Sequence, residues 1–217
     1  YKQQRYHAAV DAFVQLLLYA DEQERLTGDP GADFRSEAFN YIAGSLAYVD
    51  FEGPRVQDPY IARSDALDEP DPLVAEQKMA VAIERVQDPA LIPQGAKWTA
   101  SIYKALALEF DEIEQFHNAI RLREIIVRRF PLDRDGPLLI YQIAETYTQL
   151  AAEAPDGSEA SIEYARKALG ARTQLVDFVG LTPWTQANKD DIEALSRAEE
   201  LARIGLEAAA VDHTNYA

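Results

Sequence analysis

Residues 103 to 131 read YKALALEFDEIEQFHNAIRLREIIVRRFP. Apolar residues recur three and four apart here, a helical period. That spacing puts Tyr103, Leu106, Ala107 and Phe110 on one face of a first helix, and Ala119 and Ile126 on one face of a second. Pro131 has no N–H to give and ends the second helix. The small residue in the middle of the first helix has a packing consequence. Ala107 lets the partner helix approach closely, and the large residues a turn away fill the space beside it.

The same pattern appears twice more. Phe39, Ile42, Ala43 and Leu46 carry it upstream, and Ile140, Ile143, Ala144 and Tyr147 downstream. Ala107 and Ala144 are 144 − 107 = 37 residues apart, near a helical-hairpin repeat of about 34 residues with a small insertion. Ala43 and Ala107 are 107 − 43 = 64 apart. Only one partner helix lies between them, so this reads as a single repeat stretched by an insert.

The rest of the chain follows the same period. A first helix is predicted over about Lys2 to Leu26, with a stripe of Tyr6, Ala9, Val10, Phe13, Leu16, Leu17 and Ala20, closed by the turn Gly28-Asp29-Pro30-Gly31. A second runs from about Phe34 to Tyr48. Residues 51–72 carry Gly53-Pro54, Asp58-Pro59, Glu69-Pro70 and Asp71-Pro72, which forbid a regular helix and mark an inserted Pro/Asp-rich loop. Further helices are expected over Leu73 to Val86, Gln94 to Phe110, Ile113 to Phe130, Pro137 to Ala152, Ser158 to Phe178 and Asp191 to His213. Thr182 is placed as an N-cap with Pro183 at the first helical position. Helix follows helix through short turns, so the class is antiparallel all-α.

Residues 103–131 resemble the tetratricopeptide-repeat (TPR) consensus. Tyr103, Leu106, Ala107 and Phe110 match its helix A, and Ala119, Ile126 and Pro131 match helix B and its terminator. Arg123 departs where the family prefers an aromatic, and Arg172 sits at the same offset from Ala168. The Trp that often begins a repeat is missing from these helix A positions; Trp98 and Trp184 lie in front of helices instead. The opening helix looks like a helix B whose helix A is lost. The resemblance implies one domain over 1–217, a piece of a longer chain, in which hairpins stack as a right-handed superhelical solenoid with a shared core. It also implies a concave groove lined by helix A. Carried over by position, the partner-binding residues are Asn40, Gly44 and Ala47; Lys104, Leu108 and Asp111; and Tyr141, Glu145 and Thr148. Glu145 in this mixed patch would repel a terminal carboxylate.

Composition bounds the function further. Net charge is 21 − 37 = −16. A nucleic-acid binder needs a basic face, so nucleic acid is not expected, and a protein partner of basic character is favoured. No Cys is present, which removes disulfides, thiolate zinc sites and Cys nucleophiles. No apolar run reaches the roughly 18 residues needed to span a bilayer, so membrane insertion of this segment is not expected.

No enzyme site stands out, and no cofactor or metal is expected. Glu114 and His117 stand at i and i+3, but di-iron bundles need a second such pair, and His7 and His213 do not supply it. Asp133, Asp135 and Gly136 read as a turn and helix start, and Asp111, Glu112 and Glu114 as a solvated helix junction. There is no Gly-x-Ser-x-Gly elbow and no Gly-rich phosphate loop. An exposed Tyr60 is a candidate binding anchor. The expected function is therefore a scaffold or adaptor that holds a partner's peptide or helix. The alternative is a regulatory or structural module that packs on other domains of its own protein. A Cys-free chain suits periplasm or cytosol, and the family resemblance points to an envelope or periplasmic complex.

Overall fold

The computed structural model describes residues 5–29, 34–48, 51, 76–77, 79–180 and 182–215, without the side chains of 211–215. The expected loop over 51–72, with Tyr60, falls outside these residues apart from Phe51. Among the described residues there are nine helices and no strand, so the fold is all-helical as expected. They are α1 (Tyr6–Thr27), α2 (Arg35–Leu46), α3 (Val81–Gln87), α4 (Thr99–Glu112), α5 (Phe116–Arg129), α6 (Gly136–Glu153), α7 (Glu159–Val179), α8 (Pro183–Ala187) and α9 (Ile192–Asn215). The chain divides into two compact units, Tyr1–Leu122 and Arg123–Ala217.

In the first unit α1 packs on α2, and α2 packs on α3 and α4. α1 ends where Gly28 takes φ 76° and returns its N–H to the Glu24 carbonyl, the left-handed turn that only glycine enters at no steric cost. Its buried face is Tyr6, Ala9, Val10, Val14, Leu17 and Ala20. The expected stripe had Leu16 and Phe13 in place of Val14. Leu16 lies about 100° around the helix from Leu17 and is 38% exposed; Phe13 is half-buried and stacks on Tyr41 with centroids 5.1 Å apart. The core is Ile42, Leu46, Ile83, Ile102, Leu106 and Phe110, with Ala43 and Ala107 buried on α2 and α4.

α1 starts at Tyr6, not Lys2, and α3 at Val81, not Leu73; the starts of α4 and α5 also moved, each for a local reason. α4 begins at Thr99, not Gln94, because side chains there engage the backbone in competition with helix. Gln94 Nε2 donates to the carbonyls of Val86 (3.0 Å) and Ile92 (2.6 Å), and Thr99 Oγ1 to those of Pro93 (2.6 Å) and Ala96 (2.8 Å). α5 begins at Phe116, not Ile113, because Glu114 takes φ 58°. The Gln115 N–H reaches the Phe110 carbonyl (2.8 Å) and the Glu114 N–H reaches that of Asp111 (3.0 Å), the paired bonds of a Schellman stop. A side chain in the left-handed region costs about 1–2 kcal/mol. Glycine relieves that, less about 0.4–1 kcal/mol for its greater freedom when unfolded. E114G is therefore expected to stabilise the protein by about 0.5 kcal/mol, seen as a higher urea midpoint; a lower midpoint would show that Glu114 is held there by something else.

A polar network joins three parts of the first unit. The Trp98 indole, 3% exposed, donates to Asp21 Oδ2 at 2.9 Å. Arg35 Nη2 reaches Asp21 Oδ1 (3.3 Å) and Glu24 Oε2 (2.9 Å), and Lys97 also bonds Glu24. The Lys97 hydrogen bond holds the Glu24 carboxyl below its ordinary range. That support is present above the usual carboxylate pKa and fades as pH falls through the lowered value. Nearby, Phe51 is buried between the His7 ring (5.0 Å) and the Arg85 guanidinium (4.5 Å), and its carbonyl accepts the His7 N–H at 2.9 Å. Arg85 also donates to the carbonyls of Leu46, the last residue of α2, and of Tyr48 just past it.

In the second unit α6 and α7 form a hairpin, and α9 packs on both. The helix starts follow the sequence signals. Ser158 Oγ accepts the Ser161 N–H (3.1 Å) ahead of α7, and Thr182 Oγ1 accepts the Thr185 N–H (3.4 Å) with Pro183 next. Asp133 and Asp135 form the turn before α6: Asp133 Oδ1 accepts the Asp135 N–H (2.9 Å) and its carbonyl the Gly136 N–H (3.0 Å). That carbonyl also accepts the Trp184 indole N–H at 2.7 Å. Trp184 is 2% exposed and packs with Phe178, Ala194 and Ala198. Gly136 is confined beneath it, since a Cβ there would lie 3.0 Å from the Phe178 ring.

Candidate functional site

Tyr141, Glu145 and Thr148 stand at i, i+4 and i+7 on α6, so they share one face of the helix. The structure joins them to a residue outside the expected set. Arg172 on α7 is 5% exposed. Its Nη2 donates to Thr148 Oγ1 at 2.8 Å and lies 3.5 Å from Glu145 Oε1. Thr148 Oγ1 in turn donates to the Ala144 carbonyl at 2.9 Å. The hydroxyl thus accepts once and donates once, which uses it fully in one direction. Tyr141 belongs to the same group: loss of water raises its hydroxyl pKa, the Glu145 carboxylate raises it further, and Arg172 partly offsets both.

A groove of about 410 Å³ opens beside this group. Thr148 and Arg172 line one part of it and Asp156 and Ser161 another, with Ala151, Ala152, Ala154, Ala165 and Ala168 as its apolar wall. The hairpin explains the wall. Ser161, Ala165, Ala168 and Arg172 lie at i, i+4, i+7 and i+11 on α7 and share a face. Ser161 Oγ ties that face to α6 by donating to the Ala151 carbonyl at 2.9 Å.

The first unit places its expected residues differently. Asn40 is exposed, whereas Gly44 and Ala47 are buried and present little surface. On α4, Lys104 and Asp111 are half-buried and Leu108 is 54% exposed.

Arg172 was legible only as an anomaly, an arginine where the repeat pattern prefers an aromatic. Arg123, at the matching offset, is buried too, at 3% exposure. His117 is paired with a residue far away in sequence and not with Glu114. Its Nδ1 lies 3.1 Å from Glu76 Oε2, and Asn118 Nδ2 donates to the Glu76 carbonyl at 2.9 Å. Among the described residues no group of three or more His, Cys, Asp or Glu side chains is placed to hold a metal ion. No helix among them is long and apolar enough to cross a membrane.

No family model, curated protein or solved structure matches this chain.

Proposed function

We propose that the chain is a TPR-like helical-repeat solenoid and a non-catalytic scaffold, which holds a partner's peptide or helix on its helix A faces. The observation that carries this reading is the α6 face, where Arg172 reaches Thr148 and Glu145, with Tyr141 on the same face, beside an open groove. A face of rotamer-fixed polar groups around an aromatic ring suits recognition, because less order is lost when a partner arrives. The net charge of −16 favours a basic partner and fast encounter with it. By resemblance, an envelope or periplasmic assembly is the proposed setting.

A second reading has its own support. Leu16, Tyr19 and Leu26 on α1 are 38%, 61% and 60% exposed, an apolar strip that suits packing against other domains of a longer protein.

Site-directed photo-crosslinking in cells of origin tests the first reading. A benzoyl-phenylalanine at Tyr141 or Leu108 is expected to capture the same protein, while one at Arg203 on α9 is not. Capture at Arg203 equal to that at Tyr141, or none at Tyr141, would remove the scaffold reading; capture confined to Tyr19 would favour the second.

A further inference from the structure

We infer that α1 pairs, antiparallel, with α1 of a second copy of this chain, through an uncharged face opposite its buried side. The inference stands apart from the α6 face and does not rest on a partner held there.

α1 buries one side against α2. On its other side Ala8, Ala12, Gln15, Tyr19, Gln23 and Leu26 stand at i, i+4, i+7, i+11, i+15 and i+18, one stripe about five turns long. All are exposed except the half-buried Gln23, and Tyr19 and Leu26 reach 61% and 60%. Leu16 and Leu18, each 38% exposed, flank the stripe on its two sides. None of these side chains is charged, in a chain of net charge −16. A basic partner gains no ion pair on such a face. Two acidic chains meet most readily where like charges do not oppose each other, and this stripe is such a place.

The order of side-chain sizes sets the direction of pairing. The stripe is small at its N-terminal end, with two alanines, and large at its C-terminal end. An antiparallel two-fold pairing puts Leu26 of one copy against Ala8 of the other, Gln23 against Ala12 and Tyr19 against Gln15. The residue numbers of each pair add to 34 or 35, so a single register serves all three, as a self-complementary contact requires. Large side chains then fill the space beside small ones across the seam. The Tyr19 hydroxyl and the Gln15 amide are complementary hydrogen-bonding groups. Parallel pairing instead sets Tyr19 on Tyr19 and leaves the alanines facing a gap. It also sets Asp11 on Asp11 and Glu22 on Glu22. The antiparallel register brings Asp11 beside the Glu22–Arg25 ion pair (2.7 Å) of the second copy, where a cation is present.

The area sets the strength. Ala8 and Leu26 are 26 − 8 = 18 residues apart, about 27 Å along a helix roughly 10–12 Å wide, so the seam covers roughly 300 Å² per copy. A stable interface uses about 800 Å² per partner. The pair is therefore weak and forms at high protein concentration.

The chain has no cysteine, so thiols introduced singly into the full 217-residue chain report contacts without background. A8C and L26C are oxidised alone and mixed. In the antiparallel register position 8 lies about 27 Å from position 8 of the second copy, and close to its position 26. The mixture is expected to form the A8C–L26C disulfide at least about tenfold faster than either variant links to itself. Sedimentation of the wild-type chain should give a dimer with a dissociation constant on the order of 100 µM. That dimer should tighten as NaCl is raised from about 0.05 to 0.5 M, because salt screens the repulsion of two acidic chains. Y19E should abolish it at an unchanged melting temperature, since Tyr19 is exposed. A8C linking to itself as fast as to L26C overturns the inference, and so does a dimer that loosens with salt. A wild-type chain that stays monomeric up to about 1 mM, some tenfold above the expected constant, overturns it too and leaves the stripe to another domain of its own protein.

Discussion

Replacing Trp184 with alanine is expected to destabilise the second unit by about 3–5 kcal/mol. Trp184 is 2% exposed and fills the space among Phe178, Ala194 and Ala198. Its removal leaves a cavity beside Phe178 and the turn that starts α6. It also removes the 2.7 Å bond to the partly buried Asp133 carbonyl, worth about 1 kcal/mol. Amide hydrogen exchange in α6, α7 and α9 reads the loss residue by residue. W184F keeps most of the apolar volume and lacks the N–H, so it should fall between wild type and W184A. Wild-type exchange rates in W184A would show that the indole is not what joins the start of α6 to α8 and α9.

The second large effect is expected from A144L. Ala144 is fully buried in α6, the helix that packs most extensively on α7. Leucine adds three carbon atoms at a fully buried position, and overpacking of this kind costs about 1–3 kcal/mol. The same change at Ala160, exposed on the first turn of α7, should stay within about 0.5 kcal/mol. Urea denaturation of the pair separates crowding from any change in helix propensity. Equal midpoints would mean that Ala144 is not at a close helix crossing, and would weaken the repeat reading at its base.

What could be read in the sequence was local. Ser158, Thr182-Pro183 and Gly28 announce helix ends through their own side chain, ring or missing Cβ, and each acts within a few residues of itself. The all-helical class followed from period alone. Glu114 was missed because nothing about glutamate advertises a left-handed turn; the pause there is set by how α4 ends. Trp98 was seen to precede a helix, but its partner Asp21 is 77 residues away. Leu16 and Val14 are equally apolar, and only the packed structure chose between them. The α6 face was legible as Tyr141, Glu145 and Thr148 only through the resemblance, which carries those positions over from helix A of the repeat. Arg172 was visible as a mismatch, but the Thr148 hydroxyl that it reaches lies on the other arm of the hairpin, 24 residues away.

The relay from Arg172 through Thr148 to the Ala144 carbonyl has an entropic consequence. A long arginine ordinarily gives up about 2 kcal/mol of rotamer freedom when it is immobilised. In this hairpin folding has already immobilised it. Under the proposed scaffold reading, a partner on this face meets a side chain already frozen in place, and the ordering left to be done is mostly the partner's own.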